Sequence, residues 1–190
     1  LIDQLRHRNW ILCDRGSDTY GFVHRTFLEY FCAVEIVNRF EKQRTLTFEQ
    51  LRDEIFGQHW QDETWHEVLR LICGMIDANF AGELIEFLME IKINRSHFLD
   101  DPNFYNPPSN HLKKEGLGNL LLAVDCFVEV RNQKAVITTS NRLLKQLQYE
   151  IETEQPHDFS YEAAQQVTFK VAMAWREEEV LNWFKGRLTE

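Results

Sequence analysis

The chain has 190 residues, 44% of them hydrophobic, enough to bury a sizeable core in one large domain or two small ones, and this excludes a disordered chain. Thirty acidic against 21 basic residues leave a formal net charge of −9, which argues against nonspecific binding to nucleic acid or anionic membrane, because both need a basic surface. The four cysteines, Cys13, Cys32, Cys73 and Cys126, stand far apart in apolar surroundings without C-x-x-C spacing, so they read as reduced core residues of a cytoplasmic protein with neither a disulfide framework nor a structural metal. No run approaches the ~18 apolar residues of a membrane span, and no signal peptide opens the chain. Its first residue already belongs to an amphipathic pattern (Leu1, Ile2, Leu5), so the chain reads as cut from a longer protein.

Residues 1 to 8 read as the end of a helix. Two short β-rich runs follow, Trp10 to Asp14 and Thr19 to Val23, joined by the turn-forming Arg15-Gly-Ser-Asp, and they predict a hairpin. The second strand runs directly into a long helix. Thr26-Phe-Leu-Glu29 has the form of a capping box, in which the Thr hydroxyl takes the N3 backbone N–H and the Glu carboxylate reaches back, so the helix is expected to start at Thr26. At 100° per residue Phe27, Phe31, Val34 and Val37 form one apolar face, and Tyr30, Ala33, Ile36 and Phe40 widen it until little polar surface is left. A core helix is expected. His24 and Arg25, both able to carry positive charge, precede a helix start whose free N–H groups and macrodipole favour anions. A phosphate could sit there, but a lone His is common, and from the residues alone the simpler role comes first: His24 only hydrogen-bonds a neighbouring loop.

Beyond a polar break at Glu41 to Arg44, Thr47-Phe-Glu-Gln50 offers a second capping box ahead of Leu51 and Ile55, and Gly57-Gln-His59 ends that short helix. Trp65, Val68, Leu69, Ile72 and Met75/Ile76 then keep helical spacing. His66 and Glu67, being adjacent, point about 100° apart on a helix and make no acid/base pair; they read as the solvated flank of the stripe. Asn79 is expected to cap the next helix, built on Phe80, Leu84, Phe87, Leu88 and Ile91 and joined to its predecessor by so few residues that the two must be antiparallel neighbours.

Residues 94 to 115 contain three of the four prolines, Pro102, Pro107 and Pro108, and read as an irregular loop between helical subdomains, pinned by Phe98, Phe104 and Tyr105. After it, Leu117, Leu120, Leu121, Val124 and Val128 define one helix and Leu143, Leu144, Leu147 and Ile151 another, with Arg131 to Lys134 as a polar connection. A last pair, capped by Ser160, is built on Tyr161, Ala164, Val167 and Val171, then Val180, Leu181, Phe184 and Leu188. Glu177-Glu-Glu179 reads as a solvated helix face. The expected organisation is a winged-helix C-terminal portion at 1–58, a first helical pair at 59–93, the loop at 94–115 and a C-terminal helical subdomain at 116–190. The fold class is mainly α, one β-hairpin followed by an antiparallel, superhelical array.

The pattern F-x-H-x-x-F-x-E-Y-x-x-A, here Phe22, His24, Phe27, Glu29, Tyr30 and Ala33, resembles the winged-helix segment that follows the nucleotide-binding core of NACHT-family signal-transduction NTPases, relatives of the NOD-like receptors. Leu28 stands where that family usually has Gln. The stretch from Trp65 through Glu67-Val-Leu69 is similar to the family's W-x-E-V-L segment, and the two motifs occur in the family's order, about 40 residues apart. Leu120 to Glu129 loosely resembles its later helices. The resemblance implies that His24 lies beside the β-phosphate of ADP and helps hold a closed, inactive state, with Arg25 a weaker phosphate candidate, while Phe22, Thr26, Phe27, Glu29, Tyr30 and Trp65 carry structural roles. It implies ADP or ATP with magnesium in the full-length protein, the chain's own upstream NACHT domain as first partner, and protein partners or self-association on activation.

The sequence contains no G-x-x-x-x-G-K-[ST] phosphate loop, no hydrophobic strand ending in paired acids and no G-x-S-x-G serine, so neither ATP hydrolysis nor any other enzymatic activity is expected of this stretch. Three readings follow: the regulatory region of a NACHT-type switch, a free-standing helical interaction scaffold without nucleotide contact, and a DNA-reading winged helix. Between residues 10 and 23 only Arg15 is basic while Asp14 and Asp18 are acidic, which disfavours the third.

Overall fold

The structure is a computed structural model, and it describes residues 11–17, 19–92, 118–153, 178–179 and 182–183. The helix end at 1–8, the loop at 94–115 and most of the last helical pair lie outside these. The described residues are mainly helical with a single two-stranded hairpin in front, as the patterning predicts.

Strand β1 (Leu12–Gly16) pairs antiparallel with β2 (Thr19–Phe22), Leu12 opposite Phe22 and Cys13 opposite Gly21. Between Asp14 and Gly16 the register slips by one residue, and the chain reverses through Gly16 at φ 89° and Ser17 at φ 52°. Glycine enters that left-handed region without the steric cost that a Cβ imposes. An isolated hairpin is marginal in water, so its attachment matters. Phe22 supplies it by stacking on Phe31 of the next helix, ring centroids 5.7 Å apart.

Helix α1 (Arg25–Val37) ends in a π-helical turn, Asn38–Lys42. It begins one residue before Thr26, with His24 at the N-cap in extended geometry, and no side chain caps it. The expected capping box does not form because the Glu29 carboxylate takes the Arg25 guanidinium instead, at 2.6 Å. A charge-assisted bond one helical turn away outcompetes a bond to a neutral N–H. The core face is also narrower than expected: Ala33 and Ile36 are buried, while Tyr30 and Phe31 remain exposed.

The next three segments, Phe48–Gln50, Leu51–Phe56 and Gly57–His59, run on as one helix, α2, whose middle is π-helical. Here the capping box is present. Gln50 N donates to the Thr47 hydroxyl at 3.2 Å, and Thr47 N donates to the Gln50 side chain at 3.1 Å. Helix α3 (His66–Met75) buries Val68, Leu69, Ile72 and Cys73. Helix α4 (Ala78–Glu90) is capped by Asp77, two residues ahead of the expected Asn79, whose own N–H donates to Asp77 Oδ1. Helix α5 (Gly118–Glu129) packs against both α3 and α4. Its buried face is Leu120, Leu122, Ala123, Val124, Cys126 and Phe127, so Val128, expected inside, is exposed and Leu121 only half-buried.

A helix leaves its last four carbonyls without intrahelical partners, and burying them unpaired is costly. At the end of α4 the buried Asn119 amide, from α5, donates to Leu88 O at 2.9 Å and Ile91 O at 3.3 Å. After a short 3-10 turn, Gln133–Val136, helix α6 (Ile137–Thr153) buries Leu143, Leu144 and Leu147. Polar contacts fix its register on α4: Thr139 Oγ1 donates to Glu86 at 2.8 Å, Arg142 pairs with Glu86 and Glu90, and Gln146 donates to Met89 O. Gly82 allows the close approach beneath, since a Cβ there would lie 2.7 Å from Val136 Cγ1.

All four cysteines are free, Cys73 and Cys126 buried and Cys13 and Cys32 half-buried. Burial, with the neighbouring Cys73 thiol adding to it, pushes the Cys126 thiol well above its ordinary value. Among the described residues no helix is long and apolar enough to cross a membrane.

Candidate site at the start of the first helix

The strand-to-helix step puts His24 at the N-cap of α1, with φ −125° and ψ 140°. Its ring is exposed and tilts toward Phe27 at a centroid distance of 6.2 Å, and among the described residues its side chain makes no hydrogen bond. The first turn of α1 contains no acidic residue and receives no side-chain cap. The His24 imidazole therefore stands at the positive end of the helix dipole, beside first-turn N–H groups of which that of Phe27 already donates to the His24 carbonyl at 3.1 Å. That set suits a phosphate.

Arg25 is already engaged. Its Nε meets Glu29 Oε1, and its Nη2 donates to the carbonyl of Thr64 at 2.9 Å, 39 residues further along the chain. Glu29 is thus a partner for Arg25, only 13% exposed, and not a cap. Thr64 belongs to the tight turn between α2 and α3. Asp62 organises that turn: its carboxylate accepts from Thr64 N at 2.9 Å and its carbonyl from Trp65 N at 2.8 Å. The bonds from the Thr64 side chain and backbone hold the Asp62 carboxyl below its usual range.

Trp65 occupies the N-cap of α3, and its indole stacks flat on His59, centroids 3.9 Å apart and planes 7° from parallel. His66 is half-buried and bonds Trp60 O at 2.8 Å, so it ties the same turn together and is not the solvated residue expected; Glu67 pairs with Arg70 at 3.1 Å. Arg25, within the first motif stretch, therefore bonds the residue just ahead of the second, Thr64. Sequence reasoning missed Thr64 because its contribution is a backbone carbonyl, which any residue type supplies.

The remaining motif residues are distributed around this junction. Phe22 and Phe27 are half-buried, Phe22 against Phe31 and Phe27 beside His24, while Thr26 and Tyr30 face outward. Exposed apolar side chains are concentrated here: Tyr20, Val23, Leu28 at 54%, Tyr30 and Phe31. Among the described residues no three His, Cys, Asp or Glu side chains converge to hold a metal. Comparison with protein-family models, with curated proteins and with solved structures returns no match for this chain.

Proposed function

We propose that this chain is the regulatory and interaction region of a NACHT-type, nucleotide-switched signalling NTPase. Its hairpin and α1 help to hold an ADP-bound closed state, and the helices beyond relay a partner's signal. The observation that carries the reading is the exposed His24 side chain at an uncapped helix start, in the motif that resembles the family's. The donor set there fits a phosphate, and the exposed apolar residues beside it give an upstream domain something to cover. The nucleotide, held by that domain with magnesium, supplies a phosphate oxygen as acceptor. His24 donates to it from the imidazole, and the first-turn N–H groups of α1 add their partial positive charge. Exchange of ADP for ATP shifts the closed and open populations only through contacts that differ between them, and the His24 contact is one. Hydrolysis belongs to the upstream domain, and the location is cytoplasmic.

The same exposed apolar residues favour a second reading, a helical interaction scaffold whose His24 binds no nucleotide. The upstream coding sequence separates the two. A phosphate loop in the same reading frame supports the switch, and a start codon at or near Leu1 removes it. In isolation the chain should neither turn over ATP nor bind it tightly, because it carries no phosphate loop; micromolar binding in calorimetry would contradict this.

A further inference from the structure

The outward side of α1 carries an order of its own. His24, Leu28, Phe31 and Glu35 follow one another at steps of four, three and four residues, the spacing at which the seam positions of paired helices recur, so they line one face. All four are exposed, Leu28 by 54% and Phe31 by 41% even though its ring stacks on Phe22. Ala33 and Ile36, the residues that α1 buries, lie on the other side of the helix, toward α3. The outward face is therefore apolar in its middle, with a histidine at one end and a carboxylate at the other. Neither His24 nor Glu35 has an ion-pair partner among the described residues.

We propose that this face docks a second copy of the same chain, α1 against α1 in the antiparallel sense. A two-fold dimer uses one patch twice, so the patch must complement itself. With the axis passing between Glu29 and Tyr30, Leu28 of each copy meets Phe31 of the other, and His24 of each meets Glu35 of the other, because both pairs are symmetric in number about that point. Each imidazole then donates to a carboxylate. Parallel pairing sets Glu35 against Glu35 and gives the histidines no acceptor, an arrangement that like-charge repulsion disfavours. The net charge of −9 repels a second copy, so the apolar centre carries the contact. Two layers of Leu and Phe are too few for the ~1,200 Å² of a standard interface. The dimer is therefore weak, with a Kd on the order of 100 μM. None of this depends on the nucleotide reading.

Sedimentation equilibrium of the 190-residue chain from about 10 to about 500 μM tests the pairing, with circular dichroism to show that each variant keeps its helices. The wild type should pass from monomer to dimer across that range. Leu28→Ser should raise the Kd about tenfold or more, the scale of leaving two half-exposed leucines in water. Glu35→Lys should raise it about threefold or more, the scale of two exposed ion pairs. The double exchange, His24→Glu with Glu35→Lys, should restore pairing, because only the antiparallel sense brings the two substituted positions together. A chain that stays monomeric throughout, or a dimer indifferent to Leu28→Ser or to Glu35→Lys, overturns the proposal. A double exchange that pairs no better than Glu35→Lys alone overturns the antiparallel register.

Discussion

The hairpin with α1 and the block formed by α3, α4 and α5 are built from equally apolar sequence, yet they are buried very differently. In the block, Leu69, Ile72, Leu84, Ile85, Leu88, Ala123, Val124 and Phe127 are wholly inaccessible. In α1 only Ala33 and Ile36 are buried, while Leu28, Tyr30 and Phe31 face outward beside Tyr20 and Val23 of the hairpin arm. Apolar content alone does not make a helix a core element. Position in the assembly decides, and α1 lies at an edge with one stripe against α3. The edge holds the candidate site, where a side chain can be spent on a contact outside the chain without unfolding it.

Substitutions should reproduce that asymmetry. The largest effects belong to the block: Leu69→Ala or Phe127→Ala leaves a cavity and should cost about 3–5 kcal/mol in urea unfolding, whereas comparable losses for Phe31→Ala would contradict the comparison. Gly82→Val forces a Cβ to within 2.7 Å of Val136 Cγ1, an overpacking expected to cost about 1–3 kcal/mol. Removing the cap with Asp77→Ala should cost about 1 kcal/mol and raise amide exchange in the first turn of α4.

Acid should loosen the turn at 59–66 before it touches the block. Asp62 is held below its ordinary range by the Thr64 hydroxyl and N–H, so its folded value lies beneath its unfolded one. Its stabilising contribution is then complete above the unfolded value of about 3.9 and is lost as pH falls through the lower folded value. Amide protection at 62–66, corrected for intrinsic rates, should decline over that window in the wild type and lose this pH dependence in Asp62→Asn, whose amide oxygen still accepts from Thr64 N but does not titrate. The smallest effect is at the edge: Leu28→Ser should change stability by no more than about 0.5 kcal/mol in thermal or urea unfolding.

Much of the fold was legible because local chemistry and pattern agreed. The hairpin was readable from a turn rich in Gly and Ser between β-prone runs, and the Thr47 box from a Gln able to reach back. The Thr26 box failed since Arg25, one residue earlier, offered Glu29 a charged donor that spacing rules do not weigh. The face of α5 was misjudged because Leu120 to Val128 is apolar nearly all round, so periodicity singles out no inward side. The π-helical turns at 38–42 and 51–56 carry no residue signature. His24 was visible as a residue type at a helix start, but its setting was not. The reach of Arg25 to a carbonyl 39 residues away and the His59–Trp65 stack depend on how α1, α2 and α3 pack, which no local pattern encodes.

The most direct test of the account is the rate at which full-length protein releases ADP, compared between wild type and His24→Leu. A phosphate contact of the charge-assisted kind is worth about 1.5–3 kcal/mol, so release should accelerate about tenfold or more while the melting temperature of the 190-residue chain stays unchanged. Unaltered release would contradict the sensor role of His24. A variant chain that unfolds would show instead that this histidine serves the strand-to-helix junction.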